Sequence, residues 1–91
     1  MKSLKDTVEE MLSDNYKERF KAEYWQTKIR YEALRKFNTR IEASTRTTFA
    51  EKKVDMPKHD CPEDILREQQ SAMGNYLRLL EVRAEIEGIE L

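Results

Sequence analysis

The chain has 91 residues, of which 38% are charged, with two glycines, two prolines and a net charge of −1. This is the composition of one small, mainly helical domain. The single cysteine, Cys61, excludes an internal disulfide, and with a single histidine, His59, no zinc site can be assembled. No apolar run approaches membrane-spanning length, and the opening MKSLKDTVEE is too charged for a signal peptide, so the expected setting is a reducing cytoplasm without a membrane partner.

Residues 3–12 predict a short helix, with Ser3 and Asp6 as a capping box and Leu4, Val8, Met11 and Leu12 on one side. It is too short to persist undocked. Ser13-Asp14-Asn15 ends it, and Asn15 with Glu18 offers a second capping box that launches a long helix over 16–43, free of glycine and proline. Phe20, Tyr24, Tyr31, Leu34 and Ile41 follow a three-four rhythm with Thr27 and Asn38 as polar members of the seam, and Trp25, Ile29, Ala33 and Phe37 widen the face. Such an aromatic stripe is read as core, with base stacking as the alternative. Asn38 sets register in the same reading, or reads a base edge if it borders a cleft.

Periodicity lapses over 44–60, an irregular connection in which Phe49, Val54 and Met56 are candidate anchors and His59 and Cys61 are polar loop residues. Asp60, Pro62 and Glu63 then mark the start of a helix over 62–87, and Gly88 marks its end, with Ile89 placed to fold back on Ala84. Leu66, Gln70, Met73, Leu77, Leu80 and Ala84 form its seam. Ile65, Gln69, Ala72, Tyr76, Leu79 and Ile86 form a flanking stripe.

The expected fold class is therefore all-α: a long antiparallel helical hairpin, one domain over 1–91, with the short helix packed across or beside it. Its core should hold Phe20, Tyr24, Tyr31, Leu34, Met73, Leu77 and Leu80. Ile65, Tyr76, Leu79 and Ile86 on one side and Trp25, Ile29 and Phe37 on the other exceed what one facing helix covers. A homo-oligomer is expected to bury them; otherwise the short helix or the loop does.

Charge is uneven: residues 1–16 carry two basic and four acidic side chains, 17–58 twelve and six, and 59–91 three and eight. Two antiparallel helices of opposite sign can complement each other. The basic stretch, with its hydroxyls and aromatics, also suits a small anionic ligand, whereas the acidic last helix opposes duplex nucleic acid. No phosphate-cradling glycine loop, nucleophile elbow, paired cysteines or His–carboxylate motif is present, so the chain is not expected to be an enzyme or to carry a cofactor.

DNYKERFKAEYWQTKIRYEALRKF at 14–37 and CPEDILREQQSAMGNYLRLLEVRAEIEGIEL at 61–91 resemble a family of small helical proteins of tailed phages that infect gut and Gram-positive bacteria. The run Gln69-Gln70-Ser71-Ala72-Met73, followed by an apolar stretch and an arginine, is similar to the closing helix of phage anti-CBASS sponges, small helical hexamers that sequester cyclic nucleotides from host defence. The resemblance implies a ligand held by an early tyrosine and a downstream lysine, for which Tyr16 and Lys28 lie in comparable places. The additional N-terminal helix and the longer, more basic loop depart from that family. Read from the residues themselves, Lys17, Arg19 and Lys28 are expected to serve phosphate charge, Tyr16 to stack on a base, and Thr47 and Thr48 to supply hydroxyls, with Gln69 also at the ligand, in the cytoplasm of a bacterial host. The alternative is a protein-binding inhibitor of a host defence enzyme, anti-CRISPR-like, acting through an exposed helical face.

Overall fold

Asn15 opens the longest element as its spacing predicts: its side-chain oxygen accepts from the Lys17 amide at 2.9 Å. Glu18 does not complete a capping box, because the Asn15 amide donates instead to Ser13 Oγ at 3.0 Å. The computed structural model describes residues 2–91. A 3-10 turn, Lys5–Thr7, leads into α1 (Val8–Met11), followed by α2 (Tyr16–Arg46) and α3 (Glu63–Glu87). The protein is all-α, with no strand among the described residues, and measures 53 × 25 × 22 Å.

The first helix is shorter than 3–12 and starts as a 3-10 turn. Its Ser3–Asp6 pair does form, the Ser3 amide and hydroxyl both donating to the Asp6 carboxylate at 3.0 and 3.1 Å, which holds that carboxyl below its usual range. Docking supplies what so short a helix lacks: Thr7 is fully buried, and Gln26 Nε2 of α2 donates to its hydroxyl at 3.1 Å.

At its other end α2 runs past residue 43 to Arg46, three residues into the stretch that sequence reads as loop. The serine- and threonine-rich run is compatible with helix because its hydroxyls bond back one turn, Thr45 to the Ile41 carbonyl at 3.1 Å and Thr47 to the Ala43 carbonyl at 2.8 Å. Glu42 and Arg46 add an ion pair at 2.9 Å. Of the expected loop anchors, Val54 is half-buried and its amide donates to Thr47 Oγ1 at 3.0 Å. Met56 is mostly exposed, and Phe49 is 99% exposed and anchors nothing.

Pro62, not Asp60, takes the N-cap position of α3, with no side-chain cap. Gly88 closes the helix at φ 67°, a left-handed conformation that glycine adopts freely. The Ile89 amide then donates to the Ala84 carbonyl at 2.8 Å, and Ile89 is buried. Gly74 has a different reason: a Cβ there would sit 3.2 Å from Tyr31 Cε1, so its absence lets the two helices approach.

α2 and α3 pack antiparallel around Phe20, Tyr24, Leu77, Leu80, Ala84 and Ile89. Tyr31, Leu34 and Met73, expected in this core, are only half-buried at its edge. Thr27 and Asn38 are buried in the seam as expected. Asn38 Nδ2 donates to the Leu66 carbonyl at 3.1 Å and to Gln70 Oε1 at 2.9 Å, bridging the hairpin near its loop end.

Toward the open end, tyrosines bridge the helices. Tyr24 donates to Glu81 at 2.7 Å, Tyr76 to Glu23 at 2.9 Å and Tyr16 to Glu87 at 2.9 Å. No ion pair joins α2 to α3 among the described residues; apart from Lys2–Glu10, the ion pairs lie within single helices. Charge complementarity between the helices is thus expressed through phenol–carboxylate bonds and Arg83, which donates to Tyr16 Oη at 2.6 Å and lies over the Phe20 ring at 5.1 Å.

Leu77 is 4% exposed, and Leu77→Ala should cost about 2–5 kcal/mol in urea unfolding at a fixed protein concentration. Burial, followed by the bond to Glu81, pushes the Tyr24 phenol from 10.0 up to about 12. A phenol raised in the folded state stabilises fully below its unfolded value, and that stability is lost as pH climbs from 10 toward 12. Tyr24→Phe should therefore cost about 1 kcal/mol near neutral pH and show a shallower loss of melting temperature through the alkaline window than the parent. Equal alkaline slopes would show that Tyr24 does not titrate with unfolding.

Candidate functional site

The face of α2 that carries Trp25, Ile29, Ala33 and Phe37 points away from α3 and is only partly covered. The N-terminal segment reaches one end of it: Lys2 Nζ stands 6.0 Å from the Trp25 ring centroid and is held by an ion pair to Glu10. The loop reaches the other end, where His59 packs edge-on to Phe37 with ring centroids 6.0 Å apart. Trp25, Ile29 and Phe37 are consequently half-buried. On this side the N-terminal segment and the loop supply part of the cover, the second of the two arrangements expected from the sequence.

Between these covers lies an open cleft of about 380 Å³ lined by Lys2, Trp25, Lys28, Ile29, Glu32, Ala33 and Lys36. A second hollow of about 490 Å³ shares Ala33 and Lys36 with it and continues past Phe37 and Arg40 to Val54. The two make one groove along α2, with an apolar floor and a basic rim. Trp25 is braced edge-on by Tyr24, ring centroids 5.3 Å apart, which fixes its plane from the core side. Lys28 lies 3.8 Å from Glu32. Glu32 is held below the usual carboxylate range chiefly by its bond to Arg35. Lys36 and Arg40 make no ion pair among the described residues. A flat aromatic side chain in a groove with ammonium groups on its rim can take a planar ring carrying anionic substituents.

Of the residues singled out from sequence, Lys28 alone lines this groove. Tyr16, Lys17 and Arg19 stand at the start of α2, where Tyr16 is engaged by Glu87 and Arg83 and the Arg19 guanidinium donates to the Ser13 carbonyl at 2.9 Å. The bond to Glu87 raises the Tyr16 phenol, because ionising it would place two anions together. Lys17 is exposed. Thr47 and Thr48 follow the far end of α2, and their hydroxyls are spent on the Ala43 and Thr45 carbonyls at 2.8 and 2.9 Å. A helix of 31 residues spans about 46 Å, so one chain does not bring these groups together. Gln69 is exposed on α3 beside Ile65, Glu68 and Ala72.

Sequence reasoning placed Trp25 in an apolar stripe and passed over Lys2, Lys36 and Arg40. The available signal was a basic residue one turn after an aromatic one on this face: Lys28 after Trp25 and Arg40 after Phe37. Asn38, considered as a base-edge reader, is turned into the hairpin. No cluster of metal-ligating side chains occurs among the described residues, and no helix is long and apolar enough to cross a membrane.

A two-helix hairpin braced by a short N-terminal helix, with shallow grooves on its outer face, defines a class of small all-α proteins. The chain belongs to the Sequestin family, whose model matches residues 14–86, from the turn before α2 almost to the end of α3. The family name is consistent with sequestering a molecule. No curated protein and no solved structure matches the chain.

Proposed function

We propose that the protein is a phage anti-defence sponge, a homo-oligomer that captures a host nucleotide immune signal, cyclic or ADP-ribose-like, in the host cytoplasm without turning it over. The observation that carries this reading is the groove that Trp25 lines together with Lys2, Lys28 and Lys36. A nucleotide needs a flat surface for its base and cations for its phosphates, and here the two adjoin. Membership of a family named for sequestration supports capture over catalysis. Tyr16, Lys17, Arg19, Thr47, Thr48 and Gln69 would join such a site only from a neighbouring copy.

One observation favours a second reading. Phe49, 99% exposed beyond the end of α2, is the kind of apolar tip that inserts into a protein partner, as an inhibitor of a host defence enzyme would require.

Trp25 is the sole tryptophan, so its emission reports on the groove directly. Titration with a panel of cyclic and linear nucleotide signals should quench it, and heating the complex should release the ligand chemically intact. Lys28→Glu and Lys36→Glu should each weaken uptake at least about tenfold, about 1.4 kcal/mol, with the helical signal unchanged. Altered product after heating would make the protein an enzyme. Uptake lost in Tyr16→Ala, Lys17→Glu or Arg19→Glu but kept in the groove variants would move the site to the start of α2. If no nucleotide in the panel binds, the protein-binding reading takes its place.

A further inference from the structure

A long apolar surface is left bare on α3, on the side turned away from α2. Ile65, Ala72, Leu79 and Ile86 recur every seven residues along it, flanked by Tyr76 and Val82, and the large members are 42–78% exposed. Neither α1 nor the loop reaches this face. Four charged side chains fall within it: Asp64 and Glu68 toward its start, and Arg83 and Glu87, paired with each other at 3.1 Å, toward its end.

We propose that this face is the contact between two copies of the chain, packed antiparallel about a two-fold axis passing near Asn75 and Tyr76. The sign of the charges selects the direction. Antiparallel copies bring Glu68 of each onto Arg83 of the other, with Asp64 and Glu87 level but on opposite flanks of the face, whereas parallel copies would set all four charges against their own kind. Glu68 has no ion pair within its own chain among the described residues, so it is available for one between chains. Antiparallel packing also opposes the two helix dipoles.

The same axis aligns the apolar positions. It pairs Ile65 with Ile86 of the second copy, Ala72 with Leu79, and Gln69 with Val82. At about 100° per residue, the two members of each pair lean to opposite sides of the face centre, so they interleave. The small Ala72 at each Leu79 contact allows close approach. This assigns Gln69 to the contact between copies. The assignment does not depend on what the groove on α2 binds.

Light scattering at micromolar concentration should give an even multiple of the 10.9 kDa chain mass. Leu79→Glu should halve it or reduce it to the single-chain value with unchanged helical circular dichroism. Glu68→Arg and Arg83→Glu should each raise the dissociation constant at least about tenfold, and the double swap should recover most of that loss. Recovery separates a cross-chain pair from the bonds that Arg83 makes to Tyr16 and Glu87 in its own chain. With Cys61→Ser as background, mixing Ile65→Cys and Ile86→Cys chains should yield mainly the mixed disulfide. A single-chain mass for the parent, no recovery in the double swap, or mainly like-with-like disulfides would overturn the arrangement.

Discussion

The structure depends on the relative register of α2 and α3, and that register is held by polar groups that bridge the two helices. A pair of long helices with apolar seams can slide by a turn at modest cost in buried area. Asn38 bonded to Leu66 and Gln70, and Tyr24 bonded to Glu81, cannot slide without leaving partly buried polar groups unpaired. These bridges lie at opposite ends of the hairpin, so together they fix both its offset and its rotation. The close approach of Tyr31 to Gly74 midway between them adds a steric stop.

Once the register is fixed, the remaining surfaces follow. The rotation that puts Phe20, Tyr24, Leu77 and Leu80 inside also turns Trp25, Ile29 and Phe37 outward on α2 and Ile65, Leu79 and Ile86 outward on α3. The chain treats these two surplus faces differently. On α2 it lays down its own N-terminal segment and loop, leaving a groove with a basic rim between them. On α3 it lays down nothing.

Much of this was legible in the sequence. The hairpin, its long helices, the Gly88 stop with Ile89 folded back on Ala84, and the polar seam positions Thr27 and Asn38 follow from periodicity and capping chemistry alone. The misreadings share a cause. The loop boundary at 43 follows from the lapse of periodicity there, and the hydroxyl-to-carbonyl bonds that Thr45 and Thr47 make back one turn, at the end of α2 and at its C-cap, belong to the side-chain geometry, which composition does not encode. Asp60 has a capping residue's chemistry, but the helix begins one residue beyond Pro62, out of its reach. The candidate site was gathered from residue types wherever they occurred. Helix length then separates Tyr16 from Thr47, while Trp25, which reads as core, stands at a groove.

The absence of any ion pair between α2 and α3 bears on how the groove works. Had the excess positive charge of the central stretch been neutralised by the acidic last helix, the rim of the groove would present little field. The cross-hairpin links use neutral phenols instead, Tyr76 taking Glu23 of α2 among them, and two other α2 carboxylates pair with arginines of the same helix, Glu32 with Arg35 and Glu42 with Arg46. Lys36 and Arg40 make no ion pair among the described residues and stand beside an apolar floor. There an ammonium attracts an anion more strongly than it would over open water. The arrangement that holds the hairpin in register is therefore the same one that leaves its outer face charged.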